Sequence, residues 1–181
     1  MGSLERTGRA ERSLSIERRS SARAAVQCLS VISPMATSAD TMIASLNSFV
    51  AKDDGGDEET LYNIVEGFEA LPDRLRVVPA MFEAMERYAE ADLGSPGPLV
   101  HSIERIPVAE FEPFLRTSVE RKPGQLNVWM VNRILNSQLS AQHREELLAV
   151  LKRVTSHPQA SETTRQTAER FLKHQAEREA R

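Results

Sequence analysis

Hydrophobic residues recur every three or four positions along most of this chain from residue 38 onward. That spacing places them on one face of an α-helix. Ser38 or Asp40 is a suitable N-cap for the first helix, and Gly55-Gly56 is expected to end it. Pro72 is expected to break the second helix. The predicted helical stripes are Met42, Ile43, Leu46, Phe49 and Val50; Leu61, Ile64, Val65 and Phe68; Leu75, Val78, Met81, Phe82, Met85 and Tyr88; Leu99, Val100, Ile103 and Ile106; Phe111, Phe114, Leu115 and Val119; Leu147, Leu148, Leu151 and Val154; and Ala160, Thr164, Ala168, Phe171 and Leu172.

One segment, residues 126–139, departs from this pattern because it is apolar nearly all the way round a helix. Its sequence is LNVWMVNRILNSQL. A helix with apolar residues on several faces must be enclosed by neighbouring helices. We therefore expect this segment to form the centre of the fold.

The whole pattern predicts an all-α protein, since we find no stretch of period-two alternation between turn signals. About eight helices joined by short Pro/Gly/Ser turns favour antiparallel helical pairs. The roughly 30-residue spacing of these pairs lies within the range of helical-pair repeats. A short HEAT-like α-solenoid and an irregular helical bundle are both compatible with it.

Residues 1–34 differ in composition from the rest, being rich in Arg and Ser without a clear amphipathic period. A disordered tail, a targeting peptide, a nucleic-acid-binding arm and an upstream extension that is not translated are the alternatives. We favour a disordered extension or a mis-assigned start, with Met35 as the natural start. Residues 35–175 then form one helical domain, and the tail 176–181 is expected to fray.

Charge changes the picture of how the chain interacts. The net charge is −3, but residues 35–100 hold four Lys/Arg against thirteen Asp/Glu.

The single Cys28 excludes an intrachain disulfide and favours a reducing compartment. We find no apolar run long enough for a membrane span, so we expect a cytoplasmic protein without direct membrane or nucleic-acid contact.

Catalytic and metal-binding patterns are weak. His101 and Glu104 stand three positions apart, but a metal needs three or four ligands, so we expect His101 to pair with Glu104 or a carbonyl. The acidic run from Asp53 to Glu59 lacks the spacing of a calcium loop. With no nucleophile elbow or phosphate loop either, we expect no enzyme, no cofactor, no catalytic residue and no metal site.

Asn132 and Asn136 lie one turn apart on the central helix among apolar neighbours. Buried amides must be hydrogen-bonded. We expect both to clamp turn backbones against the helix; the alternative is that they face a ligand from a concave groove.

The pair of segments LVHSIE (residues 99–104) and RILNS (residues 133–137) resembles small all-helical immunity proteins of bacterial polymorphic toxin systems. The resemblance covers about residues 75–172. It implies a cytoplasmic, non-catalytic protein that binds and neutralises a cognate toxin domain. It transfers no catalytic residue, and the basic extension at residues 1–34 departs from the compact form of these proteins.

Many toxin domains are basic nucleases. An acidic inhibitor would associate with such a domain at a higher rate and could occlude its nucleic-acid groove. We therefore expect the acidic part of the chain to make the partner contacts. The candidate residues are Asp53, Asp54, Asp57, Glu58, Glu59, Glu66 and Glu69. The alternative function is a helical-repeat scaffold that binds a protein or peptide unrelated to toxins.

Overall fold

The hydrophobic stripes correspond to a series of α-helices joined by short loops. The computed structural model describes residues 38–52 and 57–180, and all regular secondary structure within them is helical. The α-helices are α1 (Ala39–Ser48), α2 (Asp57–Val65), α3 (Val78–Arg87), α4 (Gly97–Glu104), α5 (Val108–Arg121), α6 (Gln125–Leu135), α7 (Ala141–Val154) and α8 (Glu162–Glu179). Two short 3-10 helices, Phe68–Ala70 and Arg74–Arg76, lie between α2 and α3. The all-α prediction is confirmed.

Serine side chains begin three of these helices. The Ser38 hydroxyl accepts a hydrogen bond from the backbone N–H of Thr41 at 3.1 Å, so Ser38 rather than Asp40 is the N-cap of α1. Ser140 and Ser161 cap α7 and α8 in the same way. Each cap satisfies a backbone N–H that has no partner inside the helix.

Three helix boundaries differ from those expected from the sequence. α1 already ends at Ser48, so Val50 leaves the buried face and is 71% exposed. α2 ends at Val65 rather than at Pro72, because Gly67 has a φ of 78°, a left-handed conformation that glycine adopts without strain. Leu75 lies in a 3-10 helix before α3 and is partly exposed. Gly55 and Gly56 lie outside the described residues.

Alternate helices pack on one another to form one continuous row. α1 packs on α3, α3 on α5, and α5 on α7. On the other side, α2 packs on α4 and α6 packs on α8, whereas α4 and α6 do not pack closely together. The second row is therefore divided into two pairs. The domain is an irregular helical bundle with one continuous row rather than a regular stack of repeats.

The all-round apolar segment forms α6 at the centre, as predicted. α6 packs against α3, α5, α7 and α8. Val128, Met130, Val131 and Leu135 are almost fully buried. Leu126 and Trp129 are the exceptions, because they are only partly buried against the core. The helix ends at Leu135, four residues before the predicted end of the segment.

The C-terminal helix also continues further than expected. α8 extends to Glu179, through most of the tail 176–181 that we expected to fray, and Gln175 just before this tail is fully buried. The described residues, 38–52 and 57–180, belong to one compact unit. The Arg/Ser-rich residues 1–34 lie outside the described residues.

Candidate partner-binding surface

The solvent side of α2 gathers most of the acidic residues that the structure describes from the predicted site. Leu61 and Val65 form the buried side of this helix. Five of the other positions between residues 57 and 66 are directed to solvent. All of these are exposed: Glu58, Glu59, Tyr62, Asn63 and Glu66, the last one directly after the helix end. We call these five residues the α2 face.

Tyr62 and Asn63 are the two residues of this face that the sequence pattern did not reveal, and Tyr62 is the larger of the two. Its side chain is 62% exposed and lies four positions after Glu58 and four before Glu66. Large aromatic side chains usually bury most of their surface, and tyrosine is enriched at protein interfaces. The only signal for it in the sequence is its place among carboxylates, off the apolar stripe of α2.

The carboxylates of the α2 face are not neutralised by the chain itself. Within the described residues, no ion pair involves Glu58, Glu59 or Glu66. Their charge is thus directed to solvent, where it can attract a basic partner.

Other acidic residues of this part of the chain are paired internally. Arg76 binds Asp40 at 2.6 Å and Asp73 at 2.8 Å. These hydrogen bonds, first that to Asp73 and then that to Asp40, raise the pKa of the exposed Arg76 guanidinium above its ordinary value. Of the predicted contact residues, Glu69 forms an ion pair with Arg105 on the loop after α4. Glu69 therefore lies beside the α2 face with its charge already balanced.

Asp57, one of the predicted partner contacts, is buried and has a structural role. Asp57 is 2% exposed, and its two carboxylate oxygens accept hydrogen bonds from the backbone N–H of Lys52 at 3.1 and 3.0 Å. A carboxylate in the first turn of a helix is also favoured by the helix dipole. Asp57 thus closes the loop that leads into α2. Asp53 and Asp54 lie outside the described residues.

The expected pairing of His101 with Glu104 or with a carbonyl is not found among the described residues. Oε1 of Glu104 instead forms an ion pair with Nε of Arg133 at 2.7 Å, which links α4 to α6. The guanidinium of Arg133 also lies over the Trp129 ring, 4.6 Å from its centroid. His101 is exposed. Across the described ranges, no group of three His, Cys, Asp or Glu side chains is placed to hold a metal ion.

Asn132 and Asn136 clamp a helix rather than a turn. Nε2 of the fully buried Gln175 on α8 donates to Oδ1 of Asn132 at 2.8 Å and to Oδ1 of Asn136 at 2.9 Å. Oε1 of Gln175 accepts from Arg144 on α7 at 2.9 Å. We call these four residues the amide clamp, because they join α6, α7 and α8.

The turn-clamping role that we predicted for these amides belongs to Asn127. Its Oδ1 accepts from the backbone N–H of Gly124 at 2.8 Å, and its Nδ2 donates to the Lys122 carbonyl at 3.2 Å and to Oγ of Ser118 at 3.0 Å. Asn127 is 1% exposed, so these bonds satisfy an otherwise costly buried amide. The amide at the start of α6 therefore holds the tight turn from α5.

Comparison of the chain with protein-family models, with curated proteins and with solved structures finds no match in any of the three. Among the helices that the structure describes, none combines the length and the apolar character that a membrane crossing requires.

Proposed function

We propose that this protein is an immunity-type inhibitor that binds a basic toxin domain through the α2 face and neutralises it. One observation carries the proposal: three exposed glutamates, which have no ion pair with any described residue, surround an exposed tyrosine on one helix side. The carboxylates supply long-range attraction to a basic surface. Tyr62 supplies a compact anchor that loses little conformational entropy on binding.

The two kinds of residue are expected to act on different steps of binding. Charges at an interface rim mainly raise the association rate, by roughly 10- to 1000-fold in favourable cases at low salt. A buried aromatic anchor mainly slows dissociation, and its truncation costs about 2 kcal/mol or more, close to 30-fold in Kd. The resemblance of LVHSIE and RILNS to immunity proteins agrees with an inhibitory role. The buried core residues within these segments support the surface rather than form it.

Co-expression with the toxin domain encoded beside this gene tests the proposal. We expect a toxin gene directly upstream, and we expect the wild-type chain to restore growth of cells that produce the toxin domain. A triple variant, Glu58→Lys, Glu59→Lys and Glu66→Lys, should lose most of this protection, because the face then repels a basic partner.

The matched control is Glu145→Lys, Glu169→Lys and Glu177→Lys on α7 and α8. These three residues are also exposed, helical and outside any ion pair in the described part of the chain. The control changes the net charge equally and should protect as well as wild type. Failure of the wild-type chain to protect, or equal protection by both triple variants, would refute the proposal.

A further inference from the structure

A groove lies where the second row of helices is divided, between the α3–α4 loop, α6 and α8. Its volume is about 500 Å³, within the range of roughly 300–1,000 Å³ that is typical of ligand sites. Leu126, Trp129 and Phe171 supply its apolar surface. Two of them, Leu126 and Trp129, are the α6 side chains that the core buries only partly. No residue of the α2 face lines this groove.

The amide clamp leaves one hydrogen-bond donor of a groove residue without a protein partner in the described part of the chain. Arg144 can only donate, so the oxygen of the Gln175 amide must face Arg144 and its nitrogen must face Asn132. Asn132 therefore accepts through Oδ1, and its Nδ2 has no partner among the described residues. Asn132 is only 7% exposed, yet it lines the groove. Nδ2 is not among the buried unpartnered atoms of the described residues, so it reaches the solvent of the groove, where it can donate to an acceptor on a ligand.

The charge of the groove points to an anionic acceptor. Its lining includes Arg170 and His174 and, among the described residues, no carboxylate. The Arg170 guanidinium has one hydrogen bond in the structure, from Nη2 to the Thr167 hydroxyl at 3.0 Å, and no ion pair within the described ranges. In a chain of net charge −3, this basic lining is complementary to a carboxylate.

The groove continues into a smaller cavity with the opposite charge. The two share Ser95, Gln125 and Leu126 in their lining. The smaller cavity has a volume of about 230 Å³ and is lined by Glu90 and Asp92. An extended chain can reach from the basic end to the acidic end and donate backbone N–H groups there, which a compact ligand cannot.

We propose that this groove binds an extended acidic peptide. A carboxylate of the peptide contacts Asn132 and Arg170, and a neighbouring aromatic or aliphatic side chain packs on Trp129 and Phe171. This binding site is independent of the α2 face and of the toxin-neutralising function.

Trp129 is the single tryptophan of the chain and lines the groove, so its fluorescence reports occupancy directly. The full chain is titrated with a panel of acetylated hexapeptides in which Asp or Glu stands next to Phe, Leu or Met, in both orders. We expect a saturable change in emission with a Kd below about 1 mM for at least one peptide. The same peptide with Asn and Gln in place of Asp and Glu should bind at least about 10-fold more weakly.

Two variants test the assigned donors. Arg170→Glu reverses the charge of an exposed side chain, and Asn132→Asp keeps the acceptor for Gln175 but removes the free donor. Each should weaken the acidic peptide by about 10-fold or more. Lys173→Gln, an exposed cation on α8 outside the groove lining, should leave the affinity unchanged. A thermal melt of each variant shows that it is folded.

Three results would overturn the proposal. They are no response of Trp129 to any peptide of the panel, equal affinity for the acidic and the amide peptides, and unchanged affinity in a folded Arg170→Glu variant. The triple Lys variant of the α2 face should bind the peptide as wild type does. Failure of toxin neutralisation therefore leaves this test unaffected.

Discussion

Replacing Gln175 by leucine should strongly destabilise the protein, although Gln175 lies near the end of a highly polar helix. The substitution nearly conserves volume but removes two amide hydrogen bonds to Asn132 and Asn136 and one bond from the Arg144 guanidinium. A neutral hydrogen bond contributes about 1 kcal/mol to stability, and one to a charged group about 1.5–3 kcal/mol.

The losses differ in how well water can replace them. Asn136 is exposed and Arg144 partly exposed, so water can recover part of their bonds. Asn132 is 7% exposed, so its carbonyl oxygen stays largely without a partner. We therefore expect the free energy of unfolding to fall by about 3 kcal/mol, which corresponds to roughly 6–12 °C in Tm for a chain of this size.

Urea unfolding followed by far-ultraviolet circular dichroism measures this difference. The control is Gln166→Leu on the same helix, since Gln166 is exposed and bonds only Glu162. It should change stability by less than about 0.5 kcal/mol. A loss below about 1 kcal/mol for Gln175→Leu, or equal losses for the two variants, would refute the view that the amide clamp joins α6, α7 and α8.

Three other predictions concern single residues. Asp57→Asn should lower the free energy of unfolding by about 1–2 kcal/mol, because it weakens the hydrogen bonds from the backbone N–H of Lys52. The association rate with a toxin domain, measured by stopped-flow mixing, should stay within about twofold of the wild-type rate. Tyr62→Ala should weaken toxin binding about 30-fold, mainly in the dissociation rate, without lowering Tm. Hydrogen bonds to Glu86 raise the pKa of Arg121 above its ordinary value. The pair therefore stabilises the folded state fully at any pH below the pKa of Arg121 in the unfolded chain. This stabilisation is lost only as pH rises through the pKa of Arg121 in the folded chain. The stability difference between wild type and Arg121→Gln, from urea melts, should thus stay constant between roughly pH 7 and pH 10, and a change of more than about 0.5 kcal/mol would contradict this assignment.

The helices themselves could be predicted from the sequence because their buried stripes repeat locally. Met42 and Leu46, for example, are one turn apart, and both are almost fully buried. The periodic pattern fails where a helix ends, since side chains beyond the end no longer follow its faces. Val50 and Leu75 continue the apolar spacing but lie outside α1 and α3. Apolar spacing alone therefore did not locate those boundaries.

The roles of polar residues depended on contacts that local sequence does not contain. Gln175 lies 43 positions from Asn132 in sequence, so the amide clamp has no local signature. Asp57 and Glu58 are neighbours with the same chemistry, yet one is buried by the Lys52 backbone and the other faces solvent. Acidic composition indicated the region of the candidate surface, but only the packing separates its exposed carboxylates from the structural one.

Hydrogen–deuterium exchange of the complex with the toxin domain tests the central claim most directly. We expect toxin binding to slow exchange in α2, Asp57–Val65, and the adjoining Glu66, while exchange in α8, Glu162–Glu179, stays unchanged. Slowed exchange in α8 and α6 with α2 unaffected would contradict the claim that the α2 face binds the toxin.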